Sequence, residues 1–230
     1  MRADAVLFDK DGTLFLFEAT WEAWAEAVLL RFADGARARA TELGQAIGFD
    51  LPNRRFARDS VVIAGTPEEI VGELEQLLDL PGDQIEDILN EEAARAPQVE
   101  AVPLAPFLND LRARGLKLGV ATNDAETPAR AHLDSAGVTG LLDYVSGYDS
   151  GHGSKPDAGP CLAFARFLGL DPSRVAMVGD SLHDLHAGRA AGMQTVAVLT
   201  GLATEVELAP FADVVLPDIG ALPSWLSQAG

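Results

Sequence analysis

Apolar and polar positions follow two different patterns along the chain. The segment "DAVLFD" near the start is a short apolar run of the kind that forms a buried β-strand. From about residue 18 to residue 96, apolar residues recur instead at helical spacing, as Trp21, Trp24 and Val28 do. This first half of the pattern predicts one strand followed by a block of helices.

Beyond Val102 the pattern changes to short apolar runs separated by helical segments. The runs "LKLGVAT", "RVAMVGD", "QTVAVL" and "ADVVL" have the length and composition of buried strands. Strands that alternate with helices form a parallel sheet with helices on both faces. We therefore predict an α/β fold, a Rossmann-like parallel sheet with "DAVLFD" as its first strand, plus an inserted all-helical domain. The proline-rich segment "AARAPQVEAVPLAP" ends the insertion. This gives a core domain of residues 1–15 and 100–230 and an inserted domain of residues 16–99.

Two acids and a lysine come directly after the first predicted strand, as Asp9, Lys10 and Asp11. Side chains alternate along a strand, so Asp9 and Asp11 are expected to share one small space while Lys10 points away from both. Two carboxylates in one space repel each other unless a cation lies between them. The pair therefore indicates a binding site.

Three further segments bring polar residues to the same edge of the predicted sheet. One strand ends at Thr122 and Asn123, another is followed by Asp180, and Lys155 lies in a loop before a helix. Open α/β sheets bind ligands beyond the carboxyl ends of their strands. These side chains are therefore expected to converge with the acidic pair at one site.

Composition excludes several classes of partner. The chain has 35 acidic and 17 basic residues, a formal net charge of −18, which disfavours binding to nucleic acid or to an anionic membrane. No apolar run reaches the ~18 residues of a membrane span, and "MRADAVLFDKDG" lacks the apolar region of a signal peptide. We therefore expect a cytoplasmic protein that binds neither nucleic acid nor membrane. The single cysteine, Cys161, excludes an internal disulfide, and no pattern indicates an oligomeric state.

Four motifs, "DKDGTL", "ATN", "SKPDAGP" and "VGDSLHD", resemble in this order the four motifs of the haloacid dehalogenase superfamily. The helical insertion stands where that family carries its type 1 cap, and the chain looks most like the phosphoglycolate-phosphatase-like branch. The resemblance implies a Mg²⁺-dependent phosphoric monoester hydrolase. Its partner would be a small-molecule phosphate ester, phosphoglycolate-like or a sugar phosphate, hydrolysed through an aspartyl-phosphate.

The resemblance also implies roles for the acids. Asp9 would be the nucleophile, and Asp11 would protonate the leaving oxygen and then activate water. A carboxylate nucleophile can attack an anionic phosphate when a cation neutralises the charges that meet. The Mg²⁺ ligands would be Asp9, the backbone carbonyl of Asp11 and Asp180, with Asp184 supporting them at the rim, because Mg²⁺ prefers oxygen ligands.

The remaining implied roles concern the substrate. The phosphate would be bound by Thr122, Asn123, Lys155 and Gly12, the glycine because it lets backbone amides approach closely. In the cap, "NRRFARDS" concentrates three arginines in an acidic protein. We hypothesise that at least one of them faces the site and binds a substrate carboxylate; they are Arg54, Arg55 and Arg58. Leu16 departs from the family pattern, since many relatives carry an acid there.

Two other functions stay open at this stage. A hexose-phosphate mutase of the same family shares the core motifs. A phospho-aspartate receiver module also uses an acceptor aspartate and Mg²⁺, but it places an acidic pair after the first strand, the acceptor later, and has no cap. A phosphonate hydrolase is disfavoured, because it needs a cap lysine and residues 16–99 contain none.

Overall fold

The computed structural model describes residues 2–63 and 65–228. Six strands form one parallel sheet, and two short strands form a separate antiparallel pair. In chain order the strands are β1 (Ala5–Phe8), β2 (Phe49–Asp50), β3 (Arg55–Phe56), β4 (Lys117–Ala121), β5 (Tyr144–Ser146), β6 (Val175–Gly179), β7 (Gln194–Val198) and β8 (Val214–Leu216). The large sheet has the order β5-β4-β1-β6-β7-β8, which puts β1 and β6 side by side at its centre. The predicted α/β fold is confirmed; β5, only three residues long, was not among the predicted strands.

Helices fill the segments between the strands. They are α1 (Phe17–Phe32), α2 (Arg37–Ala46), α3 (Pro67–Leu74), α4 (Gly82–Arg95), α5 (Leu104–Ala113), α6 (Glu126–Ser135), α7 (Gly159–Leu168), α8 (Leu182–Ala191), α9 (Glu205–Leu208) and α10 (Leu222–Ser227). A capping box begins α3: Thr66 is the N-cap, and the Glu69 carboxylate accepts from the Thr66 backbone amide at 2.8 Å. None of the helices in the described ranges combines the length and apolar composition needed to cross a membrane.

The first strand shows why this sheet is buried on both faces. All four residues of β1 are fully buried, and the strand pairs with β4 on one side and β6 on the other. Its alternate side chains enter different cores: Val6 and Phe8 pack with α5 and α10, whereas Leu7 packs with α7 and α8. A continuous apolar run is the expected sequence for a strand in such a position.

The inserted segment has its own apolar core, built by α1 to α4 around Trp24, Leu29 and Leu43. It is not entirely helical, contrary to the prediction, because β2 and β3 form a small hairpin. Gly48 has a positive φ of 69°, and proline and asparagine follow before β3, all of which oppose helix continuation. Phe49 and Phe56 then pack across the hairpin, with ring centroids 4.7 Å apart.

The two chain segments that join the insertion to the sheet lie beside each other. The amide of Leu16 donates to the carbonyl of Val99 at 2.9 Å, and the amide of Ala101 donates to that of Leu14 at 2.9 Å. The paired linkers and the separate apolar core support the division into residues 1–15 with 100–230 and residues 16–99. That division stays a proposal, and the segment between the linkers is called the cap below.

Candidate active site

A pocket lies between the carboxyl edge of the sheet and the cap. The sheet contributes its polar floor, which includes Asp9, Asp11, Thr122, Lys155 and Asp180. These residues come from strand ends and loops that are distant in sequence, and the parallel arrangement brings them to one edge. Asn123 and Asp184, which the sequence also predicts as site residues, line the pocket as well.

Three buried carboxylates form the centre of the floor. One oxygen each of Asp9, Asp180 and Asp184 lies within 4.8 Å of the others. Burial raises the pKa of Asp9 to about 7, and the charges of Asp184 and Asp11 act in the same direction while Lys155 opposes them. Burial raises the pKa of Asp180 well above its ordinary value, and the charges of Asp9 and Asp184 act in the same direction while Lys155 opposes them. The group therefore holds more negative charge than its protein surroundings stabilise.

Asp184 is buried, with 1% of its surface exposed, and does not lie at the rim as predicted. Its position follows from the start of α8, where Ser181 and Asp184 form a capping box. One carboxylate oxygen accepts from the Ser181 hydroxyl at 2.7 Å. The other accepts from the Lys155 ammonium at 2.6 Å, which directs Asp184 inward.

Lys155 neutralises part of this charge. Its ammonium lies 2.6 Å from oxygens of both Asp9 and Asp184. Burial acts to lower the pKa of Lys155, but the two carboxylates outweigh it and the net shift is upward. The Asn123 side chain binds the backbone of Lys155. Its amide nitrogen donates to the Lys155 carbonyl at 2.8 Å, and its amide oxygen accepts from the Lys155 backbone N–H at 2.9 Å. The Asn123 side chain thus positions Lys155, a contact that the predicted phosphate-binding role did not include.

Gly12 has a structural role in the loop, and its predicted part in phosphate binding stays a prediction. Its amide donates to the Phe15 carbonyl at 2.7 Å, so that N–H is already engaged within the loop. Gly12 has a φ of 85°, and a Cβ at this position would lie 2.3 Å from an oxygen of Asp180. Glycine is therefore required because the loop turns tightly against the Asp180 carboxylate.

Lys10 does not point away from the acids. Its ammonium lies 2.6 Å from a carboxylate oxygen of Asp11, and the side chain is fully buried. The alternation argument failed because β1 ends at Phe8, so residues 9–11 lie beyond the strand, where successive side chains need not alternate. The Asp11 carboxylate lines the pocket beside the three-carboxylate group, paired with its own neighbour.

The cap arginines are not brought to the pocket. Arg54, Arg55 and Arg58 are exposed, and none of them lines it. Arg54 pairs instead with Glu26 of α1 at 3.3 Å. The cap thus places all three arginines outside the pocket, which does not support the predicted contact with a substrate carboxylate; that contact stays a prediction.

Several residues at the site were not identified from the sequence. Trp21 and Trp24 are packing residues, as expected from their spacing, but they also line the pocket. Asp124 follows the "ATN" motif directly, and its carboxylate lies 3.4 Å from Lys10. Gly201 lies so close to Asp180 that a Cβ would be 1.6 Å from a carboxylate oxygen. Of these residues, only Asp124 could have been identified from the sequence, because it directly follows the "ATN" motif.

Comparisons with known proteins agree with this arrangement. Residues 3–192 match the family model described as haloacid dehalogenase-like hydrolase. An N-acetylmuramic acid 6-phosphate phosphatase of Pseudomonas aeruginosa is 32% identical over 207 residues, which cover 87% of this chain and 84% of that protein. A phosphoglycolate phosphatase of Rhodospirillum rubrum is 38% identical over 120 residues, 52% of this chain. The match spans only about half the length of that relative, 50%.

A solved structure has the same fold. CbbY from Rhodobacter sphaeroides, in complex with phosphate, superposes with a TM-score of 0.70 and 21% identity over 96% of both chains. This structure confirms the fold inferred from the sequence, and the family model and the Pseudomonas aeruginosa relative confirm the family resemblance.

Proposed function

The chain belongs to the haloacid dehalogenase-like hydrolases, and from this premise we propose that it is a Mg²⁺-dependent phosphatase of small phosphate monoesters. The observation that carries the proposal is the group of Asp9, Asp180 and Asp184 with the Lys155 ammonium among them. A nucleophilic carboxylate, further oxygen ligands and a fixed cation are what hydrolysis through an acyl phosphate requires.

The donor set fits Mg²⁺. All three side chains offer oxygen atoms, the ligands that Mg²⁺ prefers, and they are buried close together. The raised pKa values of Asp9 and Asp180, caused first by burial, support a requirement for positive charge beyond that of Lys155. Asp9, Asp180 and the backbone carbonyl of Asp11 would hold the ion, with Asp184 beside them. When bound, Mg²⁺ would neutralise the charge that accumulates where carboxylate and phosphate meet.

The protein's own groups would divide the chemistry as follows. A carboxylate oxygen of Asp9 attacks phosphorus, the bond from phosphorus to the ester oxygen breaks, and Asp11 gives that oxygen its proton. Water then attacks the phosphorus atom on Asp9 while Asp11 takes a proton from the water. The bond between phosphorus and the Asp9 oxygen breaks, inorganic phosphate leaves, and the Asp9 carboxylate is restored. Thr122 and Lys155 would hold the phosphoryl oxygens through a hydroxyl and an ammonium. The Asn123 side chain would act indirectly by fixing Lys155.

The pocket favours a particular organic group. Its cap wall is apolar and includes Trp21, Trp24, Val62 and Leu89. Among the described pocket residues, Lys155 is the one lysine or arginine, and the carboxylates already engage it. The apolar face of a sugar ring would fit this wall, whereas a substrate carboxylate would have to remain in solvent. We therefore favour a sugar phosphate over phosphoglycolate, which accords with the compound named for the Pseudomonas aeruginosa relative.

Phosphate release from a panel of sugar phosphates and from phosphoglycolate, with Mg²⁺ and with excess chelator, tests this proposal. We expect release from at least one sugar phosphate, lost in chelator and in Asp9→Asn. Full activity in chelator would overturn the metal requirement. Conversion of one sugar phosphate into its isomer without phosphate release would identify a hexose-phosphate mutase instead.

A further inference from the structure

A buried line of polar contacts runs from Asp11 to the cap and has no part in the chemistry described above. The ammonium of Lys10 lies 2.6 Å from one oxygen of Asp11 and 3.0 Å from Nδ1 of His132, on α6. On the other side of its ring, Nε2 of His132 lies 2.5 Å from the carbonyl oxygen of Ala93, near the end of α4 in the cap. Two side chains thus connect the Asp11 carboxylate to the backbone of a cap helix.

The direction of these hydrogen bonds follows from their partners. A carbonyl oxygen can only accept, so Nε2 of His132 carries the ring proton and donates to Ala93. Nδ1 then has a free lone pair, and the Lys10 ammonium donates to it. A neutral ring is required for this arrangement, and burial, followed by the positive charge of Lys10, lowers the pKa of His132 to about 4. Every contact in the line therefore has a donor and an acceptor.

The site holds Lys10 firmly. The side chain is fully buried, its ammonium also lies 3.4 Å from Asp124, and the ring of Trp21 lies 5.6 Å away. A buried lysine is costly unless its charge is paired and its protons are bonded. Burial acts to lower the pKa of Lys10, but Asp11 and Asp124 outweigh it, so the net shift is upward and the ammonium stays charged. The cost of burial is met by contacts to Asp11, Asp124 and His132 together.

We propose that Lys10 and His132 are positioning residues that orient the Asp11 carboxylate toward the leaving oxygen and make this orientation depend on the seating of cap helix α4. Asp11 and Ala93 belong to different layers of the molecule, and both line the same pocket. When α4 withdraws, His132 loses its acceptor, the ring is free to turn, and Lys10 loses one of its three polar partners. Asp11 is thereby oriented for proton donation only when the cap covers the substrate. This proposal rests on the proposed phosphatase function.

Leaving-group dependence separates positioning of the acid from general structural support. An ester with a poor leaving group, such as an alkyl phosphate, needs a proton from Asp11, whereas 4-nitrophenyl phosphate does not. We expect His132→Leu to lower kcat/KM, which reports the step in which the leaving group departs, about 10-fold more for the alkyl ester than for the aryl ester. His132→Gln should restore most of this difference, because its amide can donate to Ala93 and accept from Lys10.

A control and a double variant complete the test. Tyr148→Phe removes another contact between core and cap, the hydrogen bond from Tyr148 to Glu86 of α4, without touching the line to Asp11. It should leave the ratio of alkyl to aryl kcat/KM within twofold of the wild type. In a Lys10→Met background, His132→Leu should change that ratio no further, since its effect passes through Lys10. Thermal unfolding of each variant checks that it is folded.

The outcomes distinguish the two proposals. A wild type that releases no phosphate from either ester refutes the phosphatase function. An active wild type in which His132→Leu lowers kcat/KM equally for both esters, or in which Tyr148→Phe changes the ratio as much as His132→Leu, refutes the positioning role. An additive effect of His132→Leu in the Lys10→Met background also refutes it.

Discussion

Gly201→Ala tests how closely the Asp180 carboxylate must be placed. Gly201 follows β7 in a turn that covers Asp180, and an added Cβ would lie 1.6 Å from one carboxylate oxygen and 2.4 Å from its Cγ. Ordinary contact requires more than about 3.4 Å, a separation that Cβ atoms reach in well-packed interiors. Asp180 or the turn must therefore move by about 1.5–2 Å. The backbone of Gly201 does not have a positive φ, so the collision with Asp180 is the main effect.

The expected loss follows from that displacement. A misplacement of about 1 Å can reduce the rate about 10²-fold, and overpacking a buried site costs about 1–3 kcal/mol of stability. We expect kcat/KM to fall about 10²-fold, which corresponds to about 2.7 kcal/mol at 1.36 kcal/mol per decade. The Mg²⁺ concentration for half-maximal activity should rise, because Asp180, a ligand in the proposed metal site, has moved.

Steady-state phosphate release as a function of Mg²⁺ concentration measures both effects. Gly72→Ala is the matched control, since Gly72 is an exposed residue of α3 with open space around its Cα, and the change should leave activity intact. If Gly201→Ala keeps wild-type kcat/KM and wild-type Mg²⁺ dependence, the placement of Asp180 does not matter to activity and the reasoning is refuted.

Two other substitutions follow from the same structure. Asp180→Asn should raise the Tm of the metal-free protein more at pH 8 than at pH 4.5. The pKa of Asp180 is higher in the folded than in the unfolded chain, so the ionised carboxyl destabilises the folded state increasingly as the pH rises. An equal gain at both pH values, measured by thermal unfolding in chelator, would contradict this. Replacing the cap arginines singly with alanine should change kcat/KM by less than about twofold, for carboxylated and neutral esters alike, in Arg54→Ala, Arg55→Ala and Arg58→Ala. The reason is that their exposed side chains lie outside the pocket. A selective loss of 10-fold or more on carboxylated esters would show that an arginine reaches the substrate.

The sequence predicted those parts of the molecule that depend on local pattern. Apolar runs such as "RVAMVGD" identified β6 and the acid that follows it, and parallel topology then required strand ends such as Asp9 and Thr122 to meet. These inferences depend only on strand composition and chain order. They were therefore available without knowledge of any contact.

Other features depend on contacts that a linear pattern does not contain. The direction of the Lys10 side chain could not be predicted, because the sequence does not show that β1 ends at Phe8. A shift of one residue in the end of a strand changes the face to which the next side chain points. His132 is a single histidine on a helix, and its proposed role depends on contacts with Lys10 and Ala93, which are 122 and 39 positions away in sequence. The arginine cluster was conspicuous by charge, but the hairpin that turns it outward required the packing of Phe49 on Phe56.

The covalent intermediate is the most direct test of the proposed mechanism. Asp11→Asn should slow the attack of water while leaving Asp9 able to accept a phosphoryl group from 4-nitrophenyl phosphate, whose leaving group needs no proton. Acid quenching during turnover, proteolysis and mass spectrometry would then find the peptide "VLFDKNG" with an added phosphoryl group on Asp9. Phosphate release by the wild type without any phosphorylated Asp9 in this variant, or with the phosphoryl group on another residue, would contradict the account.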